Sequence, residues 1–458
     1  MKKLYDNSLS SFSAGLERSI RLTDYSRLVY CKDLLRRFST KRCVVKRCGF
    51  EEFGHWKLKD KQEGLKHKTG KFFSVEGIKV ITSCPYVRQT WSQPIIVQPE
   101  VGFLGFVTKI INGTLFFLIQ AKIEPGNIGA AQFSPTLQAT RSNYKRAHHG
   151  ATPNYLSLFL DLSACTVLVD QLQVEQGGRF LQKQNRNIVI LTNTNLEAKD
   201  GFEWVTLGEL DELIRCDNTL NMSTRSVLGN FKLSCIYSRN IFSCMETKIS
   251  AVKSMSFFAS HKGYDLQIRK VPLDRMDGWE LSEKSIRRFD SKFFEVIALN
   301  ISIQGREVSS WVQPMIRPLG LGICGLLLRN GEKGIEVLMQ GKFECGIEGG
   351  FILGPTVQHL IGGYFQRTTD IPFFSELTSV DGVVLHDTMQ SEEGGRFYEE
   401  SNRNILKLVD DDFNSPLPQN YIWLTIEELS IISQGKGKIN IQALCLIAAI
   451  PWKIIGYE

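Results

Sequence analysis

No C-x-x-C pair occurs among the 11 cysteines of this 458-residue chain. That excludes zinc ribbons and dithiol redox motifs, which need paired spacing. The scattered thiols read as small apolar fillers in a reducing, cytoplasmic setting. Long apolar runs are missing too. The longest, Ala443–Ile450, is far short of the roughly 20 residues of a membrane span, and Pro451 ends it. The start, MKKLYDNSLSSFSAGLERS, lacks the apolar core of a secretory signal. There is no Walker loop, no clear G-x-G-x-x-G after a strand and no G-x-S-x-G elbow. What is present is ordinary globular composition, 43% hydrophobic and 10% aromatic, with a net charge of +7. Much of the early excess sits in Arg36, Arg37, Lys41, Arg42, Lys46 and Arg47. A basic balance suits an anionic partner such as a diphosphate; no nucleic-acid or membrane partner is expected.

The chain repeats itself. Trp91-Ser-Gln-Pro94 returns as Trp311-Val-Gln-Pro314, and LIQAKIEPG (118–126) as LMQGKFECG (338–346). Residues 173–188 and 390–405 share 10 of 16 positions, and the offset stays between 217 and 220. A fixed offset over such a length marks duplication of one structural unit. The expected division is an N-terminal extension (1–49), a first repeat (50–235), and a connector with the second repeat (236–458).

Within a repeat, two β-rich runs flank Asn112-Gly113, a hairpin signal. The second copy, LLLRNGEKGIEVLMQGK, suggests a turn two residues longer. Cys165–Leu172 and Ile188–Thr192 read as strands, with the polar stretch beyond Gly178 expected to be helical. Trp204–Ile214 reads as an amphipathic helix with Thr206 as N-cap and Glu209 at capping-box spacing. Strands followed by helices indicate an α+β fold.

Three clusters can carry chemistry. Gln120, Lys122 and Glu124 alternate on one strand face, and Gln340, Lys342 and Glu344 repeat them. Glu175, Arg179 and Asn185-Arg-Asn187 return as Glu392, Arg396 and Asn402-Arg403-Asn404, around the pairs Gly177-Gly178 and Gly394-Gly395. Arginine suits bidentate contact with phosphate, but a buried Glu–Arg brace fits equally well. The third cluster, Thr140, Arg141, Ser142, Asn143 and Tyr144, with His148 nearby, is a dense donor set present only in the first copy. Trp56 and Trp279 are expected at the polar entrance of each repeat, where an indole can stack on a nucleobase.

A Nudix hydrolase requires R-E-U-x-E-E-x-G-U, with U a large aliphatic residue and carboxylates on a helix binding Mg²⁺. Glu392-Glu393-Gly394-Gly395 matches E-E-x-G, but Thr388 and Met389 stand where Arg and Glu belong, and the first copy keeps only Glu175-Gln176. Hard cations need several oxygen ligands, and that set is missing twice.

On LIQAKIEPGN (118–127), SPTLQATRSNY (134–144), the EQGGRF…NRN stretch (175–187), LNMSTRSVL (220–228) and SEEGGRFYEESNRN (391–404), the chain resembles the NDP-hexose 2,3-dehydratase family. The resemblance runs from about Trp56 to about Ala448. It implies two tandem Nudix-like α/β/α modules, no cofactor and no metal, and a homodimer. The implied substrate is a dTDP-linked 4-keto-6-deoxy-hexose, dehydrated across C2–C3 to a 3,4-diketo-2,6-dideoxy sugar. An NADPH-dependent 3-ketoreductase would normally trap that product. On this footing Glu392, Glu175, Lys122, Lys342, Tyr144 and His148 are acid–base candidates. Trp56, Thr140–Tyr144, Trp279, Arg396, Asn402 and Arg403 are binding candidates. Gly363 stands where the family pattern resembles Asn, and Leu444 matches Arg225, so the second repeat departs from the pattern. A non-catalytic sugar-nucleotide binder and an atypical Nudix-type hydrolase are the rival readings.

The broken carboxylate signature generates a prediction. Exhaustive chelation should leave turnover of a 4-keto-6-deoxy sugar nucleotide unchanged, with the diphosphate intact. Turnover that collapses with EDTA and returns with Mg²⁺ would favour the hydrolase.

Overall fold

The computed structural model describes residues 2–40, 43–58, 64–140, 152–241, 256–261, 263–304, 309–361, 363, 368–410, 413–435 and 437–457. Each repeat builds one large and one small sheet. The first large sheet runs in the order Cys165–Val174, Gln184–Thr192, Gly102–Ile111, Thr114–Ile123, Phe202–Val205. Short strands Ala131–Pro135 and Leu137–Ala139 complete it. The second large sheet has the matching strands Val383–Ser391, Ser401–Leu408, Gly322–Gly331 and Gly334–Phe343, with Phe351–Gly354, Val357–Leu360 and Tyr421–Thr425. Each is mixed: Gln184–Thr192 runs parallel to Gly102–Ile111, and Ser401–Leu408 parallel to Gly322–Gly331. The architecture is mixed α/β and agrees with an α+β expectation.

Local chemistry sets the turns. Asn112 (φ 48°) and Gly113 (φ 77°) are both left-handed, as a two-residue hairpin with right-twisted strands demands. The second hairpin has the same length, pairing Gly331 with Gly334 across Glu332-Lys333. The longer turn expected from Asn330-Gly331 is therefore corrected, since that dipeptide ends the strand. Gly320, Gly322 and Gly325 do have G-x-G-x-x-G spacing, but they open a strand and not a helix, so no dinucleotide turn forms. Trp204 lies on a strand, and the helix Leu207–Ile214 follows it, with Thr206 and Glu209 forming the expected capping box. Thr425 and Glu428 cap Ile426–Ser433 in the same way. The stretch beyond Gly178 is not helical: it turns into the short strand Phe180–Leu181. Two adjacent glycines disfavour a helix, and the neighbouring repeat supplies the backbone partners described below.

The small sheets are exchanged. Cys43–Cys48, ahead of the first repeat, pairs with Phe294–Ile303 of the second. Leu266–Val271, ahead of the second repeat, pairs with Ser74–Thr82 of the first. The stretch ahead of each repeat thus adds a strand to the small sheet of the other. Sheet residues of both repeats, among them Phe106, Phe117, Leu326 and Met339, share one apolar core with Val227 and Phe231 of Met222–Ile241 and Leu444 of Ile441–Ala448. The two helices pack so closely that a Cβ on Gly229 would lie 2.2 Å from the Leu444 carbonyl oxygen. Among the described residues no helix is long and apolar enough to cross a membrane.

The tightest contact between the repeats is reciprocal. Gly126 N donates to Gly394 O at 2.8 Å, and Gly346 N donates to Gly177 O at 2.7 Å. Glu399 N then donates to Gly126 O, and Gln182 N to Gly346 O. A Cβ on Gly126 would sit 1.7 Å from Phe397 O, and one on Gly346 1.8 Å from Phe180 O. Backbone touches backbone here, so neither partner can rotate away. Gly126→Ala and Gly346→Ala should each cost about 2 kcal/mol or more, as overpacking does, read by denaturant unfolding. An Ala variant as stable as wild type would show that the loops separate freely.

Candidate functional site

The reciprocal loops bring two related buried polar pockets together. In the first, Lys122 and Glu124 leave the strand Thr114–Ile123 on one face. Gln138 Nε2 donates to Glu124 Oε1 at 3.0 Å, and Lys122 Nζ donates to Gln138 O at 3.2 Å. Asn221 caps the helix Met222–Ile241 by accepting from Thr224 N, and its amide donates to Gln138 Oε1 at 2.9 Å. The second pocket repeats this. Asn440 caps Ile441–Ala448 and donates to Gln358 Oε1 at 2.8 Å and to Glu344 Oε1 at 3.2 Å. Glu344 Oε2 accepts from Gly177 N of the other repeat at 2.8 Å. Gly177 therefore serves close approach between repeats.

Glu175 and Glu392 stand at the mouths of two antiparallel hairpins, one residue beyond the last ladder pairs, Val174–Gln184 and Ser391–Ser401. Glu175 N donates to Lys183 O, and Glu392 N to Glu400 O, each at 2.9 Å. Residues facing across such a ladder put their side chains on one face. Asn185 Nδ2 donates to Glu175 Oε1, and Asn402 Nδ2 to Glu392 Oε1. Gln176 Nε2 crosses from the first repeat to Glu392 Oε2 at 2.6 Å.

The two hairpins differ in charge. Lys183 Nζ donates to Asn185 Oδ1 at 2.7 Å, to Glu100 O at 2.6 Å and to Gln184 O at 2.9 Å. Burial raises the Glu175 carboxyl above the ordinary range, while the Lys183 ammonium opposes the rise. At Glu392, burial raises the carboxyl and the Glu400 carboxylate raises it further, with Arg225 opposing. Glu393, the counterpart of Gln176, is raised by burial and then by Glu124, with Arg396 opposing. Burial lowers the Lys342 ammonium, and Glu344 opposes that. His359 falls to about 3 through burial and then Lys342, leaving a neutral imidazole at ordinary pH. The arrangement holds carboxyls inclined to keep a proton and an amine inclined to lose one, which suits proton transfer among buried groups.

Arg179 and Arg396 also cross. The Arg179 guanidinium lies 4.0 Å from the Phe294 ring of the second repeat, and that of Arg396 lies 4.0 Å from the Phe73 ring of the first. Each therefore stacks on an aromatic face. Arg396 Nη2 also donates to Gln98 Oε1 at 3.3 Å.

The structure brings Lys122, Glu175 and Arg396 to the first pocket, and Lys342, Glu392 and Asn402 to the second. Arg403 does not join them. It points to the opposite strand face and forms a bidentate pair with Asp387 at 2.8 and 2.6 Å, as Arg186 does with Asp170. Alternation along the strand separates it from Asn402. Trp56 and Trp279 are not at a polar entrance. Both lie in one apolar cluster, Trp56 against Phe73 and Trp279 against Phe294. Their apolar area outweighs the single indole N–H, which for Trp279 donates to Ser92 O at 2.6 Å. Thr140 is half-buried. Arg141, Ser142, Asn143, Tyr144 and His148 lie outside the described residues.

Glu400, Lys183 and the capping residues Asn221 and Asn440 were not among the sequence candidates, and Glu393 and Gln176 entered only in the metal-signature comparison. The signal for Glu400 was available as the one charge reversal, Lys183 to Glu400, inside the best-matched repeat segment.

The chain matches the family model described as NDP-hexose 2,3-dehydratase over residues 32–231 and 253–450. It is 36% identical over 429 residues to the dTDP-4-dehydro-6-deoxy-alpha-D-glucopyranose 2,3-dehydratase of Saccharopolyspora spinosa, covering 88% of this chain and 87% of that one. It is 34% identical over 420 residues to a protein of the same name from Amycolatopsis orientalis (89% and 86% covered). A third such protein, from Streptomyces violaceoruber, is 34% identical over 422 residues (89% and 93% covered).

Proposed function

Because the chain belongs to the NDP-hexose 2,3-dehydratase family, we propose that it removes water across C2–C3 of dTDP-4-dehydro-6-deoxy-glucose, as a carbon–oxygen lyase. The observation that carries this reading is the likeness to three such dehydratases over nearly nine-tenths of the chain, both repeats included. The second pocket supports it with a raised carboxyl and a lowered amine.

The 4-keto group acidifies the C3 proton. In our reading Lys342, whose ammonium burial disfavours, takes that proton, and Glu392 protonates the departing C2 hydroxyl. Arg179 and Arg225 offset the enolate charge. The electron pair of the C3–H bond first forms the C3=C4 enolate with its charge on O4, and its return makes the C2=C3 bond as the C2–O bond breaks. The enol then tautomerises to the 3,4-diketo-2,6-dideoxy sugar. The substrate's ketone is the electron sink, so the residues need only move protons.

The first pocket, with Lys122, Glu175 and Arg396, and the stretch Thr140–Tyr144 with His148 we assign to holding the nucleotide diphosphate. Each repeat we read as a Nudix-like module, its mixed sheet covered by helices, in which a glycine loop replaces the metal-binding helix. We divide the chain into an extension over 1–49, a first repeat over 50–235, and a connector with the second repeat over 236–458. A cytoplasmic homodimer that hands its product to an NADPH-dependent 3-ketoreductase completes the proposal.

The test is mass spectrometry after incubating the substrate with enzyme, a 3-ketoreductase and NADPH. The expected product lacks one oxygen, at C2, and Glu392→Gln should lower its formation by about 100-fold. A substrate recovered whole, or a released nucleotide, would refute dehydration. Wild-type turnover by Glu392→Gln would remove that residue from the mechanism.

A further inference from the structure

The two hairpin mouths are built alike, and one of the differences between them is a reversal of charge. In the first, buried Glu175 faces Lys183; in the second, buried Glu392 faces Glu400. In the first mouth the lysine ammonium opposes the burial that raises the Glu175 carboxyl. Two buried glutamates opposite each other cannot both ionise without a large electrostatic cost. Glu392 and Glu400 are only 6% and 8% exposed. Glu392 uses its two oxygens on Asn402 and Gln176, whereas Glu400 Oε2 is buried without a hydrogen-bond partner among the described residues.

We propose that Glu400 is a positioning residue that shares one proton with Glu392 across the mouth of the second hairpin, so that Glu392 meets the sugar as an acid. The inference rests on the dehydratase reading and deepens it. Other charged groups facing the pair are Arg179, from the glycine loop of the first repeat, and Arg225, from the helix Met222–Ile241. The thiols of Cys324 and Cys445 also face Glu392, and burial pushes both up, so neither adds charge at neutral pH. Arg225 also donates to the carbonyl of Ser391 and to that of Leu220. It is thus held by backbone beside Glu392, while Glu400 supplies the like charge that retains the proton.

The protons balance. Glu392 gives its proton to the C2 oxygen as the C2–O bond breaks, and water leaves. The C3 proton, taken by the Lys342 amine, passes back to the carboxyl pair and restores its single proton. The tautomerisation that follows takes one proton from O3 and returns one to C2.

The test compares wild type with Glu400→Gln, Glu400→Asp and Glu400→Lys, the last installing the residue of the first repeat. The readouts are kcat against pH, dTDP binding by calorimetry, and the infrared band of a protonated carboxyl at neutral pH. The acid form of Glu392 is active, so activity is lost as pH rises through its folded value. Removing the like charge lowers that value, and the alkaline limb of kcat should move to lower pH. Glu400→Gln is expected to bind dTDP normally and lose turnover by about 100-fold above the shifted limb. Glu400→Asp should restore part of the loss, and Glu400→Lys none. The wild-type infrared band should lose the component owed to the pair in Glu392→Gln. Glu400→Gln with an unmoved alkaline limb and wild-type kcat would overturn the inference. If that variant does not fold, absence of a protonated carboxyl in the wild type at neutral pH would overturn it. A wild type that makes no 2-deoxy product defeats the dehydratase reading itself; one that dehydrates while Glu400→Gln matches it defeats only the shared proton.

Discussion

Two glycine loops, each gripping the loop of the other repeat through backbone hydrogen bonds, hold the two halves of this protein in register. Gly126 meets Gly394, and Gly346 meets Gly177, at distances that leave no room for a Cβ. The same contact carries Gln176 to Glu392 and Gly177 N to Glu344. Arg179 and Arg396 reach across beside it to stack on Phe294 and Phe73. The exchanged strands Cys43–Cys48 and Leu266–Val271 reinforce the arrangement. Neither pocket is complete within its own repeat, because each draws polar partners from the other.

Burial at this junction also shifts the proton affinities of the groups it encloses. A carboxyl taken out of water favours its neutral form, and an ammonium favours losing its proton. Glu175, Glu392 and Glu393 are raised in that way, and Lys342 is lowered. In the proposed dehydration the substrate's ketone absorbs the electrons. The duplication then permits divergence. One hairpin mouth sets a lysine opposite its glutamate and the other a second glutamate, on matching backbone geometry.

The repeat, the first hairpin at Asn112-Gly113, the Thr206 cap and the paired Lys–Glu strand motifs were legible because they depend on local spacing. The helix expected beyond Gly178 was not, since its glycines answer to the opposite repeat and not to their neighbours in the chain. Arg403 looked equivalent to Asn402 in a matched triplet, yet strand alternation turns it to Asp387. Trp56 and Trp279 were expected at a polar entrance, but the aromatic cluster around them decides otherwise.

The sequence by itself determined that the protein is a duplication and a member of the NDP-hexose 2,3-dehydratase family. Those facts reside in residue identity at a constant offset, and folding does not alter them. Only the tertiary structure decided that the repeats trade strands, that glycine serves their interface, and that Glu400 faces Glu392. Those facts depend on which distant backbones meet, and on how far burial weakens the hydration that would otherwise keep every carboxylate charged.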